Sequence, residues 1–235
     1  MDERKGQKFD LVRRFTAMQW ELHESESADG RLHESDELSQ RVGPVAGEHH
    51  EPDCDEVIYV LEGTATTSLG DLGPGTALFV ARGTRWTAEG DARVVSVLVH
   101  DPAPAAESHA VVDLNEVEEG TATAGRAFLL GATPEVGCHS VTQFIGLIPP
   151  GRAPDHFHKY DEVIYVLAGD GYLEIDGEQA PIRAGSCIHL PRTLVHCLAN
   201  TGENEMRVLG VFTPAGSPAE AYYPDGTLAA VPERS

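Results

Sequence analysis

The stretch DEVIYVL occupies residues 55–61 and is repeated letter for letter at residues 161–167. A repeat at a long spacing indicates a duplicated structural unit. Farther along, GTALFVARGTRW (75–86) aligns with GSCIHLPRTLVH (185–196), and the offset between the copies grows from 106 to 110 residues. The four extra residues of the second copy fall near EIDGEQ (174–179), whose Asp-Gly pair is typical of a hairpin turn. The chain therefore consists of two related halves.

Both halves have the residue pattern of β-strands. Runs such as VIYVL are β-branched and aromatic, and they recur among 24 glycines and 15 prolines. Short strands with tight turns predict an all-β fold with one sandwich or barrel in each half. The joint is expected within 100–110, and RRFTAMQWEL (13–22) is expected to cross to the partner sheet as a strand. The predicted organisation is an N-terminal arm at 1–30, a first barrel at 31–112 and a second barrel at 113–235, with a short helix at 217–223.

The charge of the chain excludes two classes of partner. With 38 acidic and 17 basic residues, the formal net charge is −21. Such a surface repels the phosphate backbone of nucleic acids and anionic membrane surfaces. No apolar run approaches the roughly 20 residues that span a bilayer. We therefore expect a small-molecule substrate, no nucleic acid and no membrane, in a monomer with two pseudo-symmetric barrels or a homodimer.

The cysteines and the first residues indicate a compartment. Cys54, Cys138, Cys187 and Cys197 show no CxxC spacing, and MDERKGQKFD (1–10) is polar without an apolar core. Free thiols are typical of a reducing compartment, and a polar start is not typical of a secretory signal. These features predict a cytoplasmic protein.

The second half contains DHFHKYDE (155–162), and a further histidine follows in LVHCLAN. His156 and His158 are two residues apart, so on a strand both side chains point to the same face. Glu162 follows across a short bend, and His196 comes thirty-four residues later. Three imidazoles and a carboxylate that converge inside a barrel suit Fe, Mn, Ni, Co or Zn as a divalent ion. We therefore predict one divalent transition metal ion here; for the HxH pair alone, two surface histidines on an edge strand are the alternative.

These motifs resemble those of the cupin superfamily, and their duplication resembles a bicupin. The first motif is matched by Gly151, His156, His158, Glu162 and Gly169, and the second by Gly177, Pro191, His196 and Asn200. The first glycine and the first histidine are one residue closer than is usual, and Thr193 stands where the family usually has a glycine. The resemblance covers residues 31–112 and 137–213 and implies a jelly-roll barrel in each half. It also implies a metal ion held by His156, His158, Glu162 and His196.

The first half keeps only part of this ligand set. The alignment pairs His50 with His156, Pro52 with His158, Glu56 with Glu162 and Trp86 with His196. Neither a proline nor an indole offers a lone pair to a metal. The first barrel is therefore predicted to have a degenerate site. An alternative is an ion bound at the rim by His49, His50 and nearby acids, although adjacent residues on a strand face opposite ways.

Several residues near the predicted site are candidates for supporting roles. His189 aligns with Phe79 of the first half and is predicted, with Glu162, to be a catalytic acid–base group. A position on the outer face of the barrel is the alternative for His189. Tyr160 and Arg152 are candidates for positioning an anionic or phenolic substrate, or else are solvated. Packing or turn-stabilising roles are expected for Cys187, Cys197 and Asn200.

Three classes of function follow from such a site. The first is a dioxygenase-type metalloenzyme that acts on a small oxygenated organic substrate. The second is a redox-neutral isomerase or polyketide-cyclase-like enzyme that uses the metal as a Lewis acid. The third is a non-enzymatic small-molecule binder. Four protein ligands leave two positions open on an octahedral ion, so that substrate and O₂ can bind together, which favours the first class.

Overall fold

The structure, a computed structural model, describes residues 13–14, 21–24 and 30–229. It consists almost entirely of β-strands, arranged as two barrels of two sheets each. Helical structure in these residues is limited to two 3-10 turns, at Thr123–Gly125 and Pro134–Val136. No helix in the described ranges is long and apolar enough to cross a membrane. The expected all-β fold with two tandem jelly-roll barrels is confirmed.

The first barrel contains strands β3–β12, and two further strands precede it. The bounds are β1 Arg13–Arg14, β2 Glu21–Glu24, β3 Gly30–Glu34, β4 Leu38–Pro44, β5 Gly47–His50, β6 Asp55–Glu62, β7 Ala65–Thr67, β8 Gly70–Leu72, β9 Thr76–Val80, β10 Arg85–Gly90, β11 Arg93–Val99 and β12 His109–Asp113. One sheet has the order β12-β9-β6-β11-β4-β3 and the other the order β5-β10-β7-β8. Their apolar inner faces enclose the core of this barrel.

The second barrel repeats this arrangement. Its strands are β13 Gly120–Thr121, β14 Ala127–Leu130, β15 Thr142–Ile148, β16 Gly151–Arg152, β17 Asp161–Ala168, β18 Asp170–Ile175, β19 Glu178–Arg183, β20 Ser186–Leu190, β21 Cys197–Asn200 and β22 Met206–Thr213. The larger sheet has the order β1-β2-β20-β17-β22-β15-β14-β13, and the smaller one the order β16-β21-β18-β19. Strand β17 thus takes the place that β6 takes in the first barrel.

The packing of the repeated stretch explains why both halves keep the same seven residues. In β17, Ile164 and Val166 point into the second barrel. The alternate residue Val163 lies in one apolar cluster with Val57 of β6, so the two copies meet between the barrels. Because both faces of each strand are buried, an apolar sequence is needed on both sides.

Polar side chains also join the two barrels. The hydroxyl of Ser140 donates to Oδ2 of Asp55 at 2.8 Å, and Nε2 of Gln143 donates to the carbonyl of Ile58 at 3.2 Å. Buried polar groups need such partners. These bonds therefore favour one orientation of the barrels.

The N-terminal segment reaches the second barrel. The expected strand at 13–22 is described in part and contains two short strands, β1 and β2, that pair with each other. Strand β2 then pairs with β20, with Leu22 opposite Ile188. The remaining residues of 13–22, and most of the arm at 1–30, lie outside the described residues.

The loop at 100–110 is not the joint between the halves. Strand β12 begins at His109 and pairs with β9 of the first barrel through Asp113. The chain therefore leaves the first barrel after Asp113, beside the predicted boundary at 112/113. The expected hairpin near 174–179 is present, because β18 and β19 pair across Asp176 and Gly177, both with positive φ.

The expected helix at 217–223 is absent from the structure. The segment makes a single turn, in which the N–H of Glu220 donates to the carbonyl of Ser217 at 2.9 Å. It then runs extended, since Tyr222 and Phe157 exchange backbone hydrogen bonds, each at 2.9 Å. Pairing with the loop before β17 therefore overrides the local helix signal.

Candidate metal centre in the second barrel

Three histidines converge inside the second barrel. His156 and His196 face each other in an isolated β-bridge, and His158 follows two residues later. The ring centroids are 4.7 Å apart for His156 and His196 and 5.1 Å apart for His156 and His158. One possible ligand atom from each ring lies within 4.8 Å of the other two. This spacing fits coordination of a single ion.

Backbone carbonyls fix the tautomer of each ring. A carbonyl oxygen only accepts, so each Nδ1 carries the hydrogen and donates it. Each Nε2 is then left with its lone pair, as in histidines that ligate a metal. The acceptors are the carbonyl oxygens of Pro154 for His156 (3.0 Å), Glu220 for His158 (2.8 Å) and Leu194 for His196 (2.9 Å).

Burial keeps the three rings neutral. It lowers the pKa of His156 to about 3, with His158 as a further cause. It also lowers the pKa of His158, and it lowers the pKa of His196 well below its usual value. Neutral imidazole is the form that binds metals, so the cluster can take up a cation without first losing protons.

Glu162 lies in the wall of the same cavity and is 5% exposed. Burial, and then the charge of Asp161, raise the pKa of its carboxyl to about 8. A bound cation would favour the ionised form instead. The close group of possible ligand atoms contains the three histidines and not Glu162. The structure therefore brings three of the four predicted ligands together and places the fourth beside them.

The cavity around the histidines is mostly apolar. It opens to solvent and leaves about 70 Å³ in which the centre of a water-sized molecule can lie. Arg126 lies half-buried in the wall, where its guanidinium donates to the carbonyl of Leu198 and burial lowers its pKa. Sequence reasoning missed Arg126 because a lone arginine, thirty residues before the first histidine, belongs to no motif. The apolar walls include Phe128, Phe144, Ile148, Ile164, Leu198 and Val208.

The structure separates His189 from this cluster. Its neighbours Ile188 and Leu190 belong to the core of the second barrel, so His189 points to the opposite face of β20. Its ring stacks on His33 at 4.0 Å, and its Nε2 lies 3.1 Å from Oδ2 of Asp161. His189 therefore lies towards the first barrel and is not positioned for acid–base work in the cavity.

Tyr160 and Arg152 are already engaged with other side chains. Tyr160 is buried, and its hydroxyl donates to Oε2 of Glu220 at 2.7 Å. The guanidinium of Arg152 pairs with Asp155 at 2.6 Å and with Glu174 at 2.8 Å. Neither residue lines the cavity.

The remaining residues singled out in the second half serve the barrel itself. Nδ2 of Asn200 donates to the carbonyls of Ile148 at 2.9 Å and Asn204 at 2.8 Å, and so holds the turn before β22. Cys187 and Cys197 are buried and form no disulfide. Their burial matches the packing role expected for them.

The first barrel differs from the expected alignment by one residue. Trp86 pairs with His49, just as His196 pairs with His156. The sequence alignment of His50 with His156 is therefore wrong. The error arose because two histidines are adjacent and the loop to the glutamate is one residue longer in the first barrel. His49 is also engaged, since its ring stacks on Trp86 at 4.0 Å.

The same shift replaces the second histidine by an acid. The N–H of Gly83 donates to the carbonyl of Glu51 at 2.7 Å, and the N–H of Thr193 donates to that of His158 at 2.7 Å. Glu51, and not Pro52, is therefore the counterpart of His158. The indole at the last ligand position still fills the interior, as expected.

The glutamate of the first barrel is neutralised internally. Oε1 of Glu56 accepts a hydrogen bond from the guanidinium of Arg41 at 2.8 Å. It also accepts one from the hydroxyl of Ser96. Within the described residues, the first barrel contains no group of three side chains able to hold an ion.

Comparison with known proteins agrees with this architecture. Residues 144–212 match the family model "Cupin domain". Over 106 residues the chain is 31% identical to "Polyketide synthase CurC" of Streptomyces cyaneus, covering 44% of this chain and 69% of that protein.

Solved structures are similar over most of the chain. A protein described as glyoxylate-induced, from Pseudomonas aeruginosa, superposes with a TM-score of 0.71 at 16% identity, covering 90% of this chain and 95% of that one. A single-residue mutant of oxalate decarboxylase from Bacillus subtilis gives a TM-score of 0.66 at 13% identity, covering 91% of this chain and 78% of that one. From the curated relative and the matched domain together, the chain belongs to the cupin superfamily.

Proposed function

We propose that the second barrel is a mononuclear metal centre that acts on a small oxygenated organic substrate. The observation that carries this proposal is the set of three Nε2 lone pairs, each left free because Nδ1 donates to a backbone carbonyl. Glu162 would supply the fourth ligand from the cavity wall. Imidazole and carboxylate ligands suit divalent Mn, Fe, Co, Ni or Zn.

The reaction class that we propose is redox-neutral chemistry at a carbonyl or enol. A bound divalent ion would supply Lewis acidity at a substrate oxygen. Polyketides carry the alternating carbonyl groups that such a site could polarise, and the likeness to the polyketide synthase CurC supports a related substrate. Phe128 and Phe144 would hold the apolar part of the substrate and exclude water.

A dioxygenase-type reaction is the second candidate. Three histidines and one glutamate leave two positions of an octahedral ion open. Those positions allow substrate and O₂ to bind side by side. Metal-dependent oxygenation therefore fits the same ligand set.

The test starts from the purified full chain. Elemental analysis should find about one divalent transition metal ion per chain. Aromatic β-diketones and flavonols, added to the metal-loaded protein, should be converted at equal rates with and without O₂ if the reaction is redox-neutral. Conversion that stops under strict anaerobiosis, with O₂ consumed in air, would assign the dioxygenase class. Protein that binds no transition metal at micromolar concentration would remove the proposal.

The compartment and assembly remain part of the proposal. None of the described cysteines forms a disulfide, which fits a reducing cytoplasm. Two apolar clusters contain residues of both barrels, which would let a single chain act as a monomer, and a homodimer is the alternative.

A further inference from the structure

Arg126 is the cationic side chain in the lining of the metal cavity, as far as the described residues extend. A short turn places it there: the N–H of Arg126 donates to the carbonyl of Thr123 at 3.2 Å, and Ala124 between them has a φ of 57°. Its guanidinium donates to the carbonyl of Leu198, two residues after the ligand His196. The guanidinium is therefore anchored beside the histidine cluster.

The guanidinium of Arg126 has more N–H donors than its hydrogen bond to Leu198 uses. A guanidinium has five N–H groups, and the backbone carbonyl of Leu198 accepts at one nitrogen. Among the ion pairs of the described residues, none involves Arg126. Arg152 is different, because Asp155 and Glu174 neutralise it at the outer surface. Of these two arginines, Arg126 is the one placed to recognise a ligand.

The cavity would carry a positive net charge, whereas the net charge of the chain is strongly negative. The whole chain carries −21, which repels anions at long range. Inside the cavity, the positive charge of the proposed divalent ion and of Arg126 would together exceed the negative charge of Glu162. A substrate with a localised negative charge is therefore favoured at this point, and the aromatic side chains favour a planar one.

Resting on the function proposed above, we infer that Arg126 binds the charged oxygens of a planar organic anion, a carboxylate or an enolate. The apolar part of the anion packs against Phe128 and Phe144. The guanidinium matches two oxygens of one anion through parallel N–H bonds, which an ammonium group cannot do. Arg126 thus decides between charged and neutral substrates of the same shape.

The experiment compares a charged probe with a neutral one of equal size. Binding of benzoate and of benzamide to the metal-loaded full chain is measured by calorimetry, for wild type, R126M, R126K and R152M. R126M should bind benzoate about 10- to 100-fold more weakly, the range expected for a charge-assisted hydrogen bond. Benzamide affinity should change little, and R126K should retain part of the benzoate affinity. R152M is the matched control and should behave as wild type.

The outcomes separate this inference from the proposed function. Elemental analysis of every variant shows whether metal is bound. Wild-type protein without metal would refute the metal centre. Metal-loaded R126M with wild-type benzoate affinity would refute the role of Arg126 alone, and so would metal-loaded wild type that prefers benzamide. If R126M loses its metal or its fold, R126K becomes the deciding variant, because lysine keeps the positive charge but not the two parallel N–H donors. Unchanged benzoate affinity in R126K would overturn recognition by the guanidinium.

Discussion

Each barrel has a glutamate at the equivalent position of equivalent strands, but the surroundings of the two carboxyl groups differ. Glu56 and Glu162 both stand second in the repeated stretch, and both are buried. Glu56 is satisfied from within, by Arg41 and Ser96. Glu162 lies instead in the wall of a cavity, with its pKa raised by burial.

Two replacements account for this difference. Arg41 pairs with Ser96 across β4 and β11, and in the second barrel the equivalent pair is Phe144 and Gly210 across β15 and β22. The replacements depend on each other, because a side chain on Gly210 would overlap the ring of Phe144. The first barrel thus uses its glutamate for stability. Among the described residues of the second barrel, no cationic side chain forms an ion pair with the buried carboxylate of Glu162, and a metal ion can use such a carboxylate.

The largest expected effect is on metal binding. Replacing His158 by alanine removes one of the three clustered histidines proposed as ligands, so H158A should lose most of its metal while keeping its fold. H49A removes the equivalent of His156 from the first barrel and should leave the metal content unchanged. Elemental analysis and circular dichroism check both variants. Full metal retention in H158A, or metal loss in H49A, would mean that the assignment of the site to one barrel is wrong.

The next effect tests the internal pairing of the first barrel. Substituting methionine for Arg41 leaves the buried carboxylate of Glu56 with Ser96 as its remaining partner. R41M should lower the free energy of unfolding by about 2 kcal/mol, since hydrogen bonds to charged groups contribute about 1.5–3 kcal/mol. Because half of Arg41 is exposed, solvent screening keeps the loss towards the lower end.

Urea denaturation of a double-mutant cycle measures this contribution. In R41M/E56Q the buried charge is gone, so part of the stability should return. A cycle in which the two substitutions are simply additive would show that the pair does not stabilise the barrel.

The third effect is a pH dependence that belongs to the second barrel. In the metal-free protein the folded pKa of Glu162 is about 8, above its ordinary value of 4.5. A raised pKa means that folding favours the protonated carboxyl, so this contribution is lost as pH rises from 4.5 towards 8. The clustered histidines have lowered pKa values and oppose stability only below about 6.5.

The window from pH 6.5 to 8 therefore isolates the glutamate. Stability of the metal-free protein should fall there by up to about 1 kcal/mol per pH unit, and E162Q should abolish this slope. Urea titrations at fixed ionic strength measure it. An equal slope in wild type and E162Q would assign the dependence to other groups.

The sequence predicts what depends on short-range pattern and repetition. The exact repeat indicated duplicated strands, and the HxH pair with its later histidine indicated a cluster that the structure does assemble. The pattern could not decide the face of His189, because a strand buried on both sides has no polar face to mark the outside. Arg126 could not be identified from the sequence for a related reason. Its position in the cavity depends on a long-range contact to β21 and not on its neighbours in the chain.

The register of the first barrel shows another limit of sequence reasoning. Either of the two adjacent histidines, His49 or His50, can be aligned with His156, and sequence similarity favours neither alignment. The backbone decides, because the bond from Gly83 to Glu51 is the counterpart of the bond from Thr193 to His158. Alignment by shared letters failed where the loop length changed by one residue.

The smallest expected effect concerns that same turn. Thr193 has a φ of 66°, in the left-handed region that β-branched residues avoid, whereas Gly83 has a φ of 78° at the equivalent place. T193G should relieve strain of about 1–2 kcal/mol. The greater freedom of glycine in the unfolded chain offsets about 0.4–1 kcal/mol of that gain. The net gain in stability should therefore be about 0.5 kcal/mol, and G83T should lose a similar amount.

Urea denaturation of the two variants tests whether the turns are equivalent. Metal content should not change in T193G, because it is the backbone N–H of residue 193 that donates to the carbonyl of His158. Nothing would crowd a side chain at Gly83, so G83T isolates the backbone cost. Loss of stability in T193G would mean that the threonine side chain stabilises this turn despite its φ. In that case the two barrels would differ in their scaffold as well as in their ligands.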